Sequence, residues 1–222
     1  MSASLTGRRV LVTAGPTFED LDPVRFLGNR SSGKMGFAIA AAAQRAGADV
    51  VLVAGPVHLP TPAGVRRVDV RSAAQMHAAV FDALPADIYI GAAAVADFTP
   101  AQIAPSKIKK RPGEDGLDLH LVRTRDILAD VAVANPRPQL VVGFAAETDD
   151  VDANARGKLA AKRVDLVAAN RVGLKGSGFE SDDNTLLVHD AAGHVQLGPA
   201  SKAEIADRLV ALVAARLSQE SR

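Results

Sequence analysis

Val10-Leu11-Val12-Thr13-Ala14-Gly15-Pro16-Thr17-Phe18-Glu19 begins as a short continuous apolar run and ends in a turn. A run of this kind fits a strand buried on both faces of a parallel sheet, where alternation disappears. In a dinucleotide-binding unit the chain would pass from strand to helix through a tight GxGxxG turn. Here an excursion intervenes, and helix-forming sequence resumes only at Gly33-Lys34-Met35-Gly36. Val50-Val51-Leu52-Val53, Ile88-Tyr89-Ile90, Leu140-Val141-Val142 and Leu166-Val167 repeat the buried-strand pattern. Alanine-rich helical stretches separate them, such as Met35, Ile39, Ala42, Ala43 and Ala46, with Gly47 as the expected C-cap.

This alternation predicts a doubly wound, mainly parallel α/β sheet with helices on both faces, a Rossmann-like fold with ligands at the carboxyl ends of the strands. Asn184 to His189 and His194 to Leu197 flank Asp190-Ala191-Ala192-Gly193, predicting a C-terminal antiparallel hairpin at the sheet edge. A final helix from about Lys202 to Leu217 should turn Ile205, Leu209, Leu212 and Val213 inward. With 222 residues, 48% hydrophobic, residues 1–222 are expected to form one domain. Residues from about 99 to 116 combine prolines, glycines and lysines without a period, and read as a mobile loop.

Composition removes several function classes. Net charge is +1, so no global field favours nucleic acid or a membrane surface, and any preference for an anionic ligand must be local. Aromatic residues make up 4% of the chain, too few for single-strand stacking platforms. Cysteine is absent, which excludes thiol nucleophiles and thiolate metal sites and fits a cytoplasmic location. The opening residues lack signal-peptide order and no apolar run has membrane-spanning length. The five histidines have no metal-ligand spacing, and no P-loop, GxSxG or HExxH occurs.

Candidate chemistry gathers in four places. Asp22 to Lys34 brings two arginines, an asparagine amide and two serines to the expected start of a helix, where free N–H groups suit a phosphate. The plainer alternative is that Ser31 or Ser32 caps that helix and Arg25 pairs with Asp22. Gly91-Ala92-Ala93-Ala94-Val95-Ala96-Asp97 leaves backbone open to a flat ligand, and a carboxylate at Asp97 suits ribose hydroxyls or a nucleotide-bound cation. Lys107, Lys109 and Lys110 are either a solvated face or point charges that a loop delivers to a triphosphate. Lys158 and Lys162, four apart on the helix after Leu140-Val141-Val142, lie on one face.

Taken in order, Thr13-Ala14-Gly15-Pro16-Thr17, Asp22-Pro23-Val24-Arg25, Asn29-Arg30-Ser31-Ser32-Gly33-Lys34-Met35-Gly36, Ala93-Ala94-Val95-Ala96-Asp97, Lys107-Ile108-Lys109-Lys110 and Val142-Gly143-Phe144-Ala145-Ala146-Glu147-Thr148 resemble the bacterial phosphopantothenoylcysteine synthetase family. The likeness runs from about Arg8 to the final helix. It implies a ligase that joins cysteine to 4'-phosphopantothenate through an acyl-cytidylate, using CTP with Mg2+. It further implies a nucleotide site of Gly91, Ala92, Ala93, Asp97, Lys107, Arg125, Asp126, Ile127, Leu128, Phe144, Lys158 and Lys162. Arg25 and Asn29 fall on the acyl side, Asn29 serving the second half-reaction and Lys107 the first. A homodimer is implied, and so is a flavin-dependent decarboxylase half if the chain is part of a bifunctional protein. One departure stands out, Thr124-Arg125 in place of the Asn-Pro typical of the family. A nicotinamide-dependent oxidoreductase would need the short glycine turn and an acid ending the second strand, which instead ends Val53-Ala54-Gly55-Pro56. A non-catalytic binding module is the other alternative, opposed by the joint presence of Asn29, Asp97 and Lys107.

Overall fold

The computed structural model describes residues 4–110, 113, 115–147, 151–171 and 183–220. In chain order the elements are β1 (Arg9–Ala14), β2 (Phe18–Asp20), β3 (Phe26–Gly28), α1 (Lys34–Arg45), β4 (Asp49–Ala54), β5 (Arg66–Asp69), α2 (Ala73–Asp82) and β6 (Ile88–Gly91). There follow β7 (Phe98–Pro100), β8 (Leu121–Arg123), α3 (Ile127–Ala132), β9 (Leu140–Glu147), α4 (Val151–Lys162), β10 (Leu166–Arg171), β11 (Asp183–His189), β12 (His194–Ser201) and α5 (Lys202–Glu220). Eight strands form one sheet in the order β12-β11-β10-β9-β6-β1-β4-β5. All its pairings are parallel except β10 with β11 and β11 with β12, so the C-terminal hairpin lies at the sheet edge as its turn residues predict.

The continuous apolar strands serve two cores because successive side chains point to opposite faces. Val10, Val12, Leu52, Ile90 and Val142 pack under α1 and α5, through Ile39, Leu209 and Val213. Leu11, Val51, Val53, Val141 and Val167 face α2, α3 and α4, through Met76, Val131 and Ala155. Each fully buried Leu, Ile or Val contributes roughly 1.5–3 kcal/mol of transfer free energy. Leu212 is only half-buried at the margin of the first core, and α5 runs on to Glu220.

Two local readings are corrected, and a third gains detail. Neither Ser31 nor Ser32 caps α1: Gly33 is the N-cap, at φ 75°, and no side chain caps it. The Ser31 hydroxyl instead accepts from the Gly33 N–H at 3.3 Å. Gly47 stands one position beyond the C-cap, Ala46, and takes the left-handed conformation that ends the helix. The stretch beginning at residue 99 is not structureless throughout, because β7 pairs antiparallel with β8. Residues 111, 112 and 114 of that stretch lie outside the described residues.

The site-forming feature is the point where strand order reverses. From β1 the chain winds outward through β4 and β5, then returns to place β6 on the other side of β1. Beyond their last sheet partners the two chains stay joined. Ala92 N–H donates to Thr13 O at 3.1 Å, Ala94 N–H to Gly15 O at 2.9 Å and Thr17 N–H to Ala94 O at 3.3 Å. The turn after β4 presses on this seam: a Cβ on Gly55 would sit 1.7 Å from the Pro16 carbonyl oxygen.

Substitution at Gly55 and at Gly157 should therefore have opposite effects. Gly55→Ala drives a methyl into the Pro16 backbone and should cost about 3 kcal/mol or more. Gly157, inside α4 with nothing within 4 Å of an added Cβ, should gain about 0.5–1 kcal/mol on change to Ala. Urea unfolding midpoints check both signs.

Candidate active site

At the reversal point the carboxyl ends of β6 and β9 open into a cleft of about 460 Å³. Its floor is the small-residue turn Gly91 and Ala93, and Gly143 of β9 makes room for Leu128, whose Cδ2 would lie 2.6 Å from a Cβ there. One wall is the loop entering α3, from Thr124 to Leu128, and the lining continues through Phe144, Lys158 and Lys162. Asp97 stands at the rim. The α3 loop is bound to the rim by two hydrogen bonds, Thr124 N–H to Asp97 O at 3.0 Å and Thr124 Oγ1 to Ala96 O at 2.7 Å. Thr124 thus has a defined structural role at the position where the sequence departs from the family pattern.

The polar groups of the cleft are held in place. Asp126 caps α3, accepting from Ala129 N–H at 3.0 Å, and its other oxygen is the partner of Lys162 Nζ. Burial works to raise the Asp126 carboxyl, but the hydrogen bonds from Lys162 and Ala129 and the charges of Lys162 and Lys158 outweigh it and hold the group below its ordinary range. Lys158 donates to the Phe144 carbonyl at 2.5 Å, which fixes its ammonium against the wall. Burial pushes the Tyr89 phenol well above its usual range, against the opposing hydrogen bond with Thr13, and the Asp126 charge adds to the effect. Tyr89 therefore lines the cleft as a neutral group. Arg125, with its side chain 70% exposed, rests against Asp130 at 3.0 Å, and Asp130 is also 2.9 Å from His77 Nε2.

A second cleft of about 310 Å³ adjoins the first, with Ala93, Val95, Asp97, Phe144 and Lys158 common to both. It opens onto the start of α1 at Ser31, Ser32, Gly33 and Lys34, and onto Asn170, Asn184 and Lys202. Ala92 lines this second cleft rather than the first. The serine and glycine stretch thus faces a cavity even though its serines do not cap the helix. The amino-terminal end of α1, with Lys34, Lys158 and Lys202 around the same cleft, favours negative charge there.

Of the residues expected on the nucleotide side, Gly91, Ala93, Asp97, Arg125, Asp126, Ile127, Leu128, Phe144, Lys158 and Lys162 therefore share one cleft. Arg25, Asn29 and Lys107 line neither cleft. Asn29 Nδ2 donates to the Ala94 carbonyl at 3.0 Å, so it is tied to the back of the turn that floors the cleft. Arg25 and the backbone beside Lys107 meet one another at Asp22. Sequence reasoning did not find Thr13, Tyr89, Val95 and Arg123 in the first cleft, nor Asn170, Asn184 and Lys202 in the second. Asn170 carried a usable signal, a polar residue ending a buried parallel strand. Lys202 carried none, because a lysine opening a helix ordinarily faces water.

The strand order, the reversal-point cleft and the helices on both faces define a Rossmann-like α/β domain. The chain belongs to the family described as the DNA/pantothenate metabolism flavoprotein C-terminal domain, whose pattern matches residues 5–217. A coenzyme A biosynthesis bifunctional protein CoaBC from Vibrio cholerae is 50% identical over 210 residues, covering 94% of this chain and 53% of the relative. The protein of that name from Bacillus subtilis is 46% identical over 221 residues, covering 98% of this chain and 54% of the relative. The chain thus spans about half the length of these relatives. Among solved structures, the C-terminal domain of a coenzyme A biosynthesis bifunctional protein CoaBC superposes with a TM-score of 0.82 at 37% identity, covering 98% of this chain and 100% of that one.

The depressed Asp126 carboxyl makes stability depend on pH with a definite sign. Its folded pKa lies below the unfolded one, so its stabilisation is complete above an unfolded value of about 4 and is lost as pH falls through the lower folded value. Asp126→Asn keeps an acceptor at the cap and removes the charge. With the side chain 42% exposed, the loss at pH 7 should be no more than about 1 kcal/mol. Thermal melts of both proteins from pH 7 down to pH 2 should show the gap closing below about pH 4.

Proposed function

We propose that this chain is a phosphopantothenate–cysteine ligase that uses CTP: the carboxylate of 4'-phosphopantothenate attacks the α-phosphorus, pyrophosphate leaves, and the amine of cysteine then displaces CMP from the acyl-cytidylate. The observation that carries the reading is the cleft itself, which gathers small-residue backbone, a rim carboxylate and two lysines where the strand order reverses. Such a crevice suits a nucleotide, with its base against exposed backbone and its phosphates toward cations. The relatives' role in coenzyme A biosynthesis agrees with it. A nicotinamide enzyme is disfavoured by the seam at Thr13 to Thr17, which occupies the place of a glycine-rich phosphate turn.

In this reading Lys158 and Lys162 hold phosphate charge, and the neighbouring cleft at the α1 terminus extends the anion-binding surface. Mg2+ accompanying the triphosphate would neutralise phosphate charge. Among the described residues no cluster of three or more acidic or histidine side chains is placed to hold a metal, which fits an ion carried mainly by the nucleotide and steadied by Asp97. Asp126 is less suited to that task because Lys162 and the Ala129 N–H already engage it. Lys107 stabilises charge as pyrophosphate leaves, and Asn29 presents its amide to the acyl oxygen in the second step.

A homodimer belongs to the same proposal. Val24 in the connection between β2 and β3, Phe26 on β3, and Phe98, Leu121 and Val122 on the β7–β8 pair are exposed apolar side chains. Covering such a surface is the ordinary use of apolar groups left in water. Where the chain forms half of a longer protein, a flavin-dependent decarboxylase is the companion half we expect. No helix among the described residues is long and apolar enough to cross a membrane.

Incubation with CTP, phosphopantothenate and cysteine should release pyrophosphate and CMP and yield the amide product; release with ATP but not CTP would change the nucleotide. Single turnovers separate the roles. Lys107→Gln should lower pyrophosphate release on the order of 100-fold or more. Asn29→Asp should release pyrophosphate yet accumulate acyl-cytidylate, because a carboxylate donates nothing to the acyl oxygen and repels its developing charge. Mass spectrometry of the quenched Asn29→Asp reaction decides the matter: normal amide product, or no acyl-cytidylate, removes the assigned role.

A further inference from the structure

Asp22 is a buried carboxylate in an otherwise exposed stretch, with its side chain 0% exposed. It accepts hydrogen bonds from Val24 N–H at 2.8 Å and Arg25 N–H at 2.9 Å, and from Arg25 Nε at 3.0 Å and Nη2 at 2.5 Å. Those contacts are local. One more is not: Ile108 N–H, 86 residues away in sequence, donates at 3.1 Å to Oδ2, the oxygen that also accepts from the guanidinium. The guanidinium returns the connection, Arg25 Nη2 donating to the Ile108 carbonyl at 2.8 Å, and Ala104 N–H donates to Leu21 O at 2.9 Å. Hydrogen bonds from Arg25 hold the carboxyl far below its usual range, against burial, with the three backbone N–H groups adding to the effect.

The arm that carries Asp22 is itself fastened to the body. Phe18 N–H donates to Arg71 O at 2.8 Å, Arg71 pairs with Asp20 at 2.6 Å, and the buried Glu19 carboxylate takes the Ala73 N–H at 2.8 Å. Phe18 and Phe26 stack with ring centroids 3.9 Å apart and Arg71 lies over both. A continuous path thus runs from α2 through the arm to Asp22 and on to the segment holding Lys107. Arg25 and Lys107 line neither cleft, and this carboxylate joins Arg25 to Ile108, the residue after Lys107.

We infer that Asp22 is a positioning residue, clasping the Lys107 segment to the arm that bears Arg25 and Asn29 so that the acyl-side and phosphate-side groups are presented as one unit. The inference deepens the ligase reading and rests on it for the roles of those groups, while the clasp stands on geometry alone. A carboxylate is required because five N–H directions must be met at once by an acceptor-only group; an amide presents one oxygen and two wrong-way donors. The clasp also means that the segment's position is set by the arm before any nucleotide arrives.

Two readouts on Asp22→Asn test it separately. Hydrogen exchange resolved to single amides by NMR, on the protein without ligand, should show Ile108 and Ala104 exchanging at least 10-fold faster than in the wild type. The amides of β1 and β6 should be unchanged, which a general loss of stability would not leave so. In the ligase assay the same variant should lose at least 10-fold in single-turnover pyrophosphate release and raise the KM for phosphopantothenate, with the KM for CTP within about twofold. Asp22→Glu should not rescue either, because the longer stem displaces the Ile108 contact. Unchanged protection at Ile108 overturns the clasp whatever the activity. Lost protection with unaltered pyrophosphate release and KM overturns the positioning role, and an inactive wild type with a protected Ile108 removes the ligase reading while leaving the clasp. Should Asp22→Asn fail to fold, Arg25→Met, which withdraws the guanidinium from the Ile108 carbonyl, must accelerate Ile108 exchange in the same way or the clasp is refuted.

Discussion

Everything at the site depends on the backbone seam that continues β1 and β6 past the end of the sheet. At a reversal point two neighbouring strands send their connections in opposite directions, which ordinarily leaves a gap. Here Thr13 to Thr17 and Ala92 to Ala96 close that gap with backbone hydrogen bonds, aided by Thr17 Oγ1, which accepts from Ala96 N–H at 2.9 Å. The seam can be this close only because the residues involved are small. Gly36 brings α1 to within 2.5 Å, measured from a hypothetical Cβ, of the Ala14 methyl, and Gly55 yields its place to the Pro16 carbonyl. The floor of the cleft is therefore rigid backbone rather than a flexible loop, suited to holding a flat ligand in one orientation.

Charge is distributed to match. Within the first cleft the cations at Arg125 and Lys162 are engaged by Asp130 and Asp126, while Lys158 is held by a carbonyl. Each is thus restrained without being neutralised outright, and a polyanion entering the cleft would compete with a half-exposed carboxylate rather than with a buried one. The opposite design holds at Asp22, where the carboxylate is fully buried and its partners are mostly backbone. Burying a charge is tolerable only when hydrogen bonds meet it on all sides. The first arrangement is suited to exchanging partners on ligand binding, the second to keeping them.

Much of this was legible from residue types alone. Continuous apolar runs at Val10, Val50, Ile88 and Leu140 identify the parallel strands because burial on both faces erases alternation. The hairpin around Asp190 to Gly193 followed from its turn residues, and Asp190 does accept from Ala192 N–H and Gly193 N–H. The serine cap, one of the two readings open for the start of α1, is not made, because the left-handed turn at Gly33 leaves the serines facing the second cleft. The ribbons β2–β3 and β7–β8 were invisible because three-residue strands carry no period. Lys202 and Asn184 could not be assigned to a cleft, since they come from the far end of the chain and meet the start of α1 only in the folded sheet. The family likeness supplied ten residues of the first cleft, and the fold brings the expected nucleotide set together apart from Ala92 and Lys107.

The most direct test of the central claim is a crystal structure of the protein with CTP and Mg2+. The account predicts the nucleotide between the Gly91 to Ala93 turn and the Asp126 to Leu128 wall, with phosphates toward Lys158 and Lys162. A nucleotide bound instead at the opposite end of the sheet, in the recess around Arg8, Asp87 and Arg137, would contradict it.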